Sequence, residues 1–209
     1  MAYYRKPEAV KDKIVKAYIY KGFGLEMKVR RALRHTDVYN RAIQYLSHSE
    51  RVLIMGSEYG ENALLLHHMF PDISIHSVQN NDESLLVTKG LLTLNGNLKY
   101  IEEHKAMELE KYDTICLFLS AIQYSESFHC LNNALRLLNG QGQIVLFDIY
   151  GYSEKDIQKF VKSESKNNIC YLSENEVDNF ISDARLTYKK TIEKVSSGRL
   201  ILYAITNLG

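Results

Sequence analysis

An α/β fold built on a mostly parallel sheet is the class that this 209-residue sequence predicts. Three observations carry the prediction. From Arg51 onward, short apolar runs alternate with helix-patterned segments, and strands separated by helices of that length wind into a parallel sheet. The last stretch breaks the rule, with two strand patterns joined by a Ser-Ser-Gly turn, which reads as an antiparallel hairpin. The first fifty residues show helical spacing only, and so predict a cover ahead of the sheet.

Taken in order, "EAVKDKIVKAYIY" (8–20) spaces its apolar residues as a helix, and Pro7 suits a first helical position. Gly22 and Gly24 interrupt it, and a second helix is expected from Leu25 to Leu46. "VLIM" (52–55) is a short buried-strand run, followed by the helical "NALLLHHMF" (62–70) and the strand "ISIHSV" (73–78). The helix "DESLLVTKGLLTL" (82–94) is closed by Asn95-Gly96, a C-terminal stop. "LKYIE" (98–102) and "TICLFL" (114–119) are strands, and the helix "SESFHCLNNALRLL" (125–138) should stop at Asn139-Gly140 before the strand "QIVLFD" (143–148). Ser173 and Glu176 make an S-x-x-E capping box for a helix reaching Ala184. "LTYKKTIE" (186–193) and "LILYAIT" (200–206) complete the hairpin. The sum is a Rossmann-like, seven-stranded, mostly parallel sheet with a C-terminal antiparallel hairpin and an N-terminal helical cover. Two regions are expected, a cover over 1–50 and the sheet domain over 51–209.

Composition narrows the function classes. An apolar fraction of 45% with 24% charged residues is that of a globular domain, and no apolar run reaches the length of a membrane span. Cytoplasmic location is the expectation. Cys116, Cys130 and Cys170 lie too far apart for a metal-ligand pattern, and no metal is expected. The net charge of +1 conceals twelve Lys/Arg against five Asp/Glu in residues 1–51, and fourteen against twenty thereafter. A basic front invites an acidic partner, but no basic run is dense enough for a nucleic-acid arm, so nucleic acid is not expected. Phosphate-loop, nucleophile-elbow and H-E-x-x-H signatures are all missing from the sequence.

The chemistry-bearing stretch is "VLIMGSEYGEN" (52–62), a strand, a G-x-x-x-G turn and the start of a helix. With the alternation that follows, "LRLLNGQGQIVLFD" and the terminal hairpin, it resembles the class I S-adenosylmethionine-dependent methyltransferases over Arg51 to Leu208. A looser similarity runs through "YIYKGFGLEMKVR" (18–30), to methyltransferases of bacterial gene clusters for aryl-polyene and related pigment lipids. The resemblance implies S-adenosylmethionine as cofactor. It implies a cofactor site made by Gly56, Ser57, Glu58, Tyr59, Gly60, Gln79, Asn80 and Ser120, with Tyr124 as the catalytic-side residue. It implies a small-molecule or carrier-bound acceptor, with an acidic carrier protein as a possible partner, and a place in secondary metabolism.

Four positions depart from the family pattern. Glu58 stands where a middle glycine is usual, putting a Cβ and a negative charge near the methionine carboxylate. Gln79 replaces the acid that accepts both ribose hydroxyls; its amide has one acceptor and one donor group. The segment after "LKYIEE" carries His104 and Lys105 rather than an acid for the adenine amino group, and reads as a solvated loop. Gln123 replaces a histidine and cannot act as a base near neutral pH. Methyl transfer is an in-line displacement for which positioning does much of the work, so these losses leave activity open. The alternative is a catalytically silent methyltransferase-like protein acting as a binding or scaffolding subunit. The first two helices are expected to form a lid, with Tyr18, Tyr20 and Phe23 towards the acceptor.

Overall fold

In the computed structural model the described residues are 4–19, 29–30, 33, 36–57, 59–79, 87–88, 96–109, 111–118, 127–150, 174–184, 188–194 and 200–207. They form helices α1 (Pro7–Ile19), α2 (Thr36–Leu46), α3 (Glu61–Met69), α4 (Glu103–Glu108), α5 (Ser127–Leu137) and α6 (Glu174–Asp183). The strands are β1 (Arg51–Met55), β2 (Ser74–Val78), β3 (Leu98–Ile101), β4 (Tyr112–Phe118), β5 (Leu138–Tyr150), β6 (Tyr188–Lys194) and β7 (Leu200–Asn207).

The seven strands form one sheet in the order β3-β2-β1-β4-β5-β7-β6. The five strands from β3 to β5 are parallel, and β7 runs antiparallel to both β5 and β6. Val52 on the inner strand β1 faces Ile75 on one side and Thr114 on the other. The chain therefore steps outward from β1 to β3 and then returns to the other flank through β4. That reversal beside β1 is a topological switch point, the place outside the strand C-termini where ligands bind in open α/β sheets.

Period-two alternation divides the strand residues between two cores. Val52, Ile54, Ile75, Cys116, Phe118, Val145 and Phe147 face a cluster that includes Val10, Ile14, Val15 and Tyr18 of α1, Val38 and Ala42 of α2, and Leu65 of α3. Leu53, Met55, Ile115, Leu117, Ile144 and Leu146 face the other, with Ala106, Leu131, Ala134 and Val177. Burial on both faces explains why the parallel strands read as unbroken apolar runs. Phe118 and Phe147 stack at 4.4 Å, and the Tyr39 ring lies 5.9 and 5.6 Å from them, which anchors α2 to the sheet.

Three expectations need adjustment. The second helix does not run unbroken from Leu25: Leu33 lies in a turn, its N–H bonded to the Val29 carbonyl, and α2 starts at Thr36 with Asp37 in its first turn. A carboxylate there favours a helix start, a local preference that outweighs the longer apolar periodicity. The 102–105 stretch is not simply a loop, because α4 folds there and buries Ala106. Asn139-Gly140 do not close α5, since β5 already begins at Leu138, paired with Tyr112. The register then jumps to Gln143–Thr114, so residues 139–142 bulge out of the ladder. Asn139 supports the bulge by accepting the Gln141 N–H at 3.1 Å. Of the 82–94 helix, Val87 and Thr88 are described and helical; the rest lies outside the described residues.

Candidate functional site

The turn leaving β1 is built on two glycines in the left-handed region, Gly56 at φ 83° and Gly60 at φ 77°. That conformation costs a residue with a Cβ, which is why the outer glycines are the ones kept. At Gly60 a side chain would also collide with its surroundings. A Cβ there would lie 2.6 Å from Thr88 Cγ2 and 2.6 Å from Tyr100 Cε1. Glycine at 60 is thus required by the packing of β3 beneath the turn.

The turn ties itself together. The Gly60 N–H donates to the Ser57 carbonyl at 3.2 Å, and the buried Ser57 hydroxyl accepts the Asn62 N–H at 3.1 Å. The Tyr59 N–H donates to Glu61 Oε2 at 2.9 Å. Two phenols hold carbonyls of the turn: Tyr18 of α1 donates to the Tyr59 carbonyl at 2.7 Å, and Tyr100 of β3 donates to that of Gly60 at 3.2 Å. Burial is the main cause pushing both phenols above their ordinary pKa. The Glu61 carboxylate adds to it in each case, after Tyr100 in the case of Tyr18. Both therefore keep their protons, and remain donors, across the physiological range. Tyr39 of α2 donates to Asn62 Oδ1 in the first turn of α3, so three elements converge on the loop.

Gln79 sits just beyond β2, 5% exposed, its N–H bonded to the Ile101 carbonyl. Its side-chain Nε2 lies 3.4 Å from the Ser57 carbonyl and 3.2 Å from Ser77 Oγ. A carbonyl can only accept, so the amide nitrogen must face Ser57 and the orientation of the amide is fixed. Among the described residues its buried Oε1 has no hydrogen-bond partner. An unsatisfied buried acceptor costs free energy until a donor reaches it. A ribose hydroxyl is such a donor, and to that extent the residues present fit a nucleoside cofactor.

Of the residues expected at the cofactor site, Gly56, Ser57, Tyr59, Gly60 and Gln79 come together here, and Glu58, Asn80, Ser120 and Tyr124 lie outside the described residues, as do Tyr20 and Phe23. Tyr18, Tyr39, Glu61 and Tyr100 were not among them. Glu61 had a local signal, as an acid in the first turn of the helix after the loop. After β3, Glu102 is 45% exposed and lies 3.4 Å from both His104 and Lys105, as a solvated segment would. Glu103 accepts from Asn133 of α5 at 3.1 Å, and His129 Nε2 lies 3.0 Å from the same amide nitrogen. No described helix is long and apolar enough to cross a membrane.

The fold is one shared with solved methyltransferases, and the loop after β1 lies at its topological switch point. Among solved structures of this fold, the YcgJ protein of Bacillus subtilis superposes with a TM-score of 0.65 at 16% identity, over 84% of this chain and 100% of its own. The plantazolicin methyltransferase BpumL, in complex with S-adenosylhomocysteine, gives 0.59 at 13% identity, over 97% and 98%. An O-methyltransferase candidate from Nostoc punctiforme gives 0.61 at 16% identity over 81% of this chain, which spans only 55% of that protein's length. No family model matches the sequence, and no curated protein matches it.

Proposed function

We propose that the protein binds S-adenosylmethionine and transfers its methyl group to a small-molecule or carrier-bound acceptor. The observation that carries the reading is the meeting of the Gly56 turn with the Gln79 carbonyl oxygen, unpartnered among the described residues, at the C-terminal end of the parallel strands. The shared fold of a methyltransferase solved with S-adenosylhomocysteine supports it. Gln79 would accept a ribose hydroxyl, and the 56–60 turn with Asn80 and Ser120 would hold the rest of the cofactor. When bound, the cofactor supplies an electrophilic methyl on a sulfonium. The chain's part is to orient the acceptor in line with that methyl and to exclude water, with Tyr124 on the acceptor side. In this reading residues 1–50 act as a cover on the 51–209 domain. The basic front faces an acidic carrier, in a cytoplasmic, secondary-metabolic setting.

A second reading, a silent binding or scaffolding subunit, draws support from one observation. The N–H groups of Tyr59, Gly60 and Asn62 are already engaged within the turn, which leaves fewer donors for a ligand carboxylate. Incubation with methyl-labelled S-adenosylmethionine and a panel of phenols, carboxylic acids and carrier-linked acyl chains separates the two. Label on any acceptor supports the enzyme; cofactor binding with no transfer to any of them would favour the silent subunit.

A further inference from the structure

The N-terminal helix reaches the ligand loop through the Tyr18 hydroxyl. Val10, Ile14 and Tyr18 recur every four residues and so share one face of α1, which packs against α3. Tyr18 is fully buried near the C-terminal end of that helix, and its hydroxyl ends on the carbonyl of Tyr59, itself only 7% exposed. Tyr100 meets the next carbonyl, that of Gly60, from β3. The two contacts pin consecutive peptide planes from elements about forty residues away on either side of the loop. A trans peptide is planar, so a carbonyl turned towards one side sends the following N–H the opposite way. Holding the Tyr59 carbonyl therefore aims the Gly60 N–H, which closes onto Ser57. Holding the Gly60 carbonyl, which also accepts the Leu64 N–H at 2.9 Å, orients the Glu61 N–H at the start of α3, a helix end that favours negative charge.

We propose that Tyr18 is a positioning residue of this loop, through which docking of the first helix sets the affinity of the ligand site. The proposal rests on the reading of the site as a cofactor pocket, and goes beyond it in giving α1 a part in binding. Tyr18 touches no ligand in this account. It works by fixing the Tyr59–Gly60 peptide through its 2.7 Å bond to the Tyr59 carbonyl.

The test is Tyr18→Phe, which keeps the ring and removes only the hydroxyl, beside Tyr112→Phe. The Tyr112 ring is just as buried and its hydroxyl lies 2.8 Å from His76 Nδ1, at the opposite end of the sheet. Calorimetric titration with S-adenosylhomocysteine is expected to show about five- to tenfold weaker binding for Tyr18→Phe. Tyr112→Phe should keep the wild-type affinity while losing a similar amount of Tm. Wild-type affinity in Tyr18→Phe, with its Tm lowered like the control, would reduce Tyr18 to a packing residue and overturn the proposal. Amide hydrogen exchange over 56–62, without ligand, gives a readout that does not need the cofactor. Faster exchange in Tyr18→Phe than in Tyr112→Phe is expected, and equal protection would overturn the proposal. If wild-type protein ignored the ligand while the exchange difference persisted, the cofactor reading alone would fall.

Discussion

At Gly60 two separate penalties meet, a left-handed backbone and a Cβ position occupied by Thr88 and Tyr100. Gly60→Ala should lower stability by at least about 2 kcal/mol in urea denaturation, since strain and overpacking each cost on the order of 1–3 kcal/mol. A change below about 0.5 kcal/mol would contradict the packing described for β3 under the turn. Glu58 belongs to the same loop in sequence. If the loop binds the methionine end of the cofactor, Glu58→Gly removes a like charge and should tighten S-adenosylhomocysteine binding severalfold. Marked weakening would mean that Glu58 is itself a ligand contact. The glycines and Gln79 were legible in the sequence because the loop keeps its spacing after an apolar strand. Tyr18 on the Tyr59 carbonyl was not, because that bond spans 41 positions and depends on how α1 is rotated against α3.

The helices show where pattern ran ahead of packing. Helical spacing marked α1, and Val10, Ile14, Val15 and Tyr18 lie in the same cluster as β1 and α3, which spacing alone does not give. Ile14→Ala should cost about 2–5 kcal/mol, as buried large-to-small changes do. Removing residues 1–24 should leave a protein without a cooperative thermal transition; a truncated chain that melts cooperatively would show that the sheet stands without α1. The element α3 carries a pH dependence of its own. His68 is lowered to about 4 by burial and by Lys13, His67 and Arg5, and burial also lowers His67. Both are neutral when folded, so the unfolded chain binds more protons as the pH drops below its pKa of about 6.5. Their stabilisation is present above that pH and is lost as the pH falls towards 4. Tm should drop through this window, and His68→Gln should flatten the drop.

For the molecule as a whole, the sheet was the most legible part, because strands buried on both faces leave unbroken apolar runs and a Ser-Ser-Gly turn can only join neighbours closely. β7 between β5 and β6 closes the sheet as the hairpin predicted. Less legible were the start of α2, the short α4 and the 139–142 bulge, each decided by a local contact rather than by periodicity. The fold brings together a left-handed glycine turn and a buried amide whose oxygen has no partner among the described residues, a place that the proposed nucleoside sulfonium cofactor would fill. Isothermal titration of the purified full chain with S-adenosylmethionine and S-adenosylhomocysteine tests this most directly. The account predicts one site per chain with micromolar affinity for both ligands; no heat change with either at millimolar concentration would contradict it.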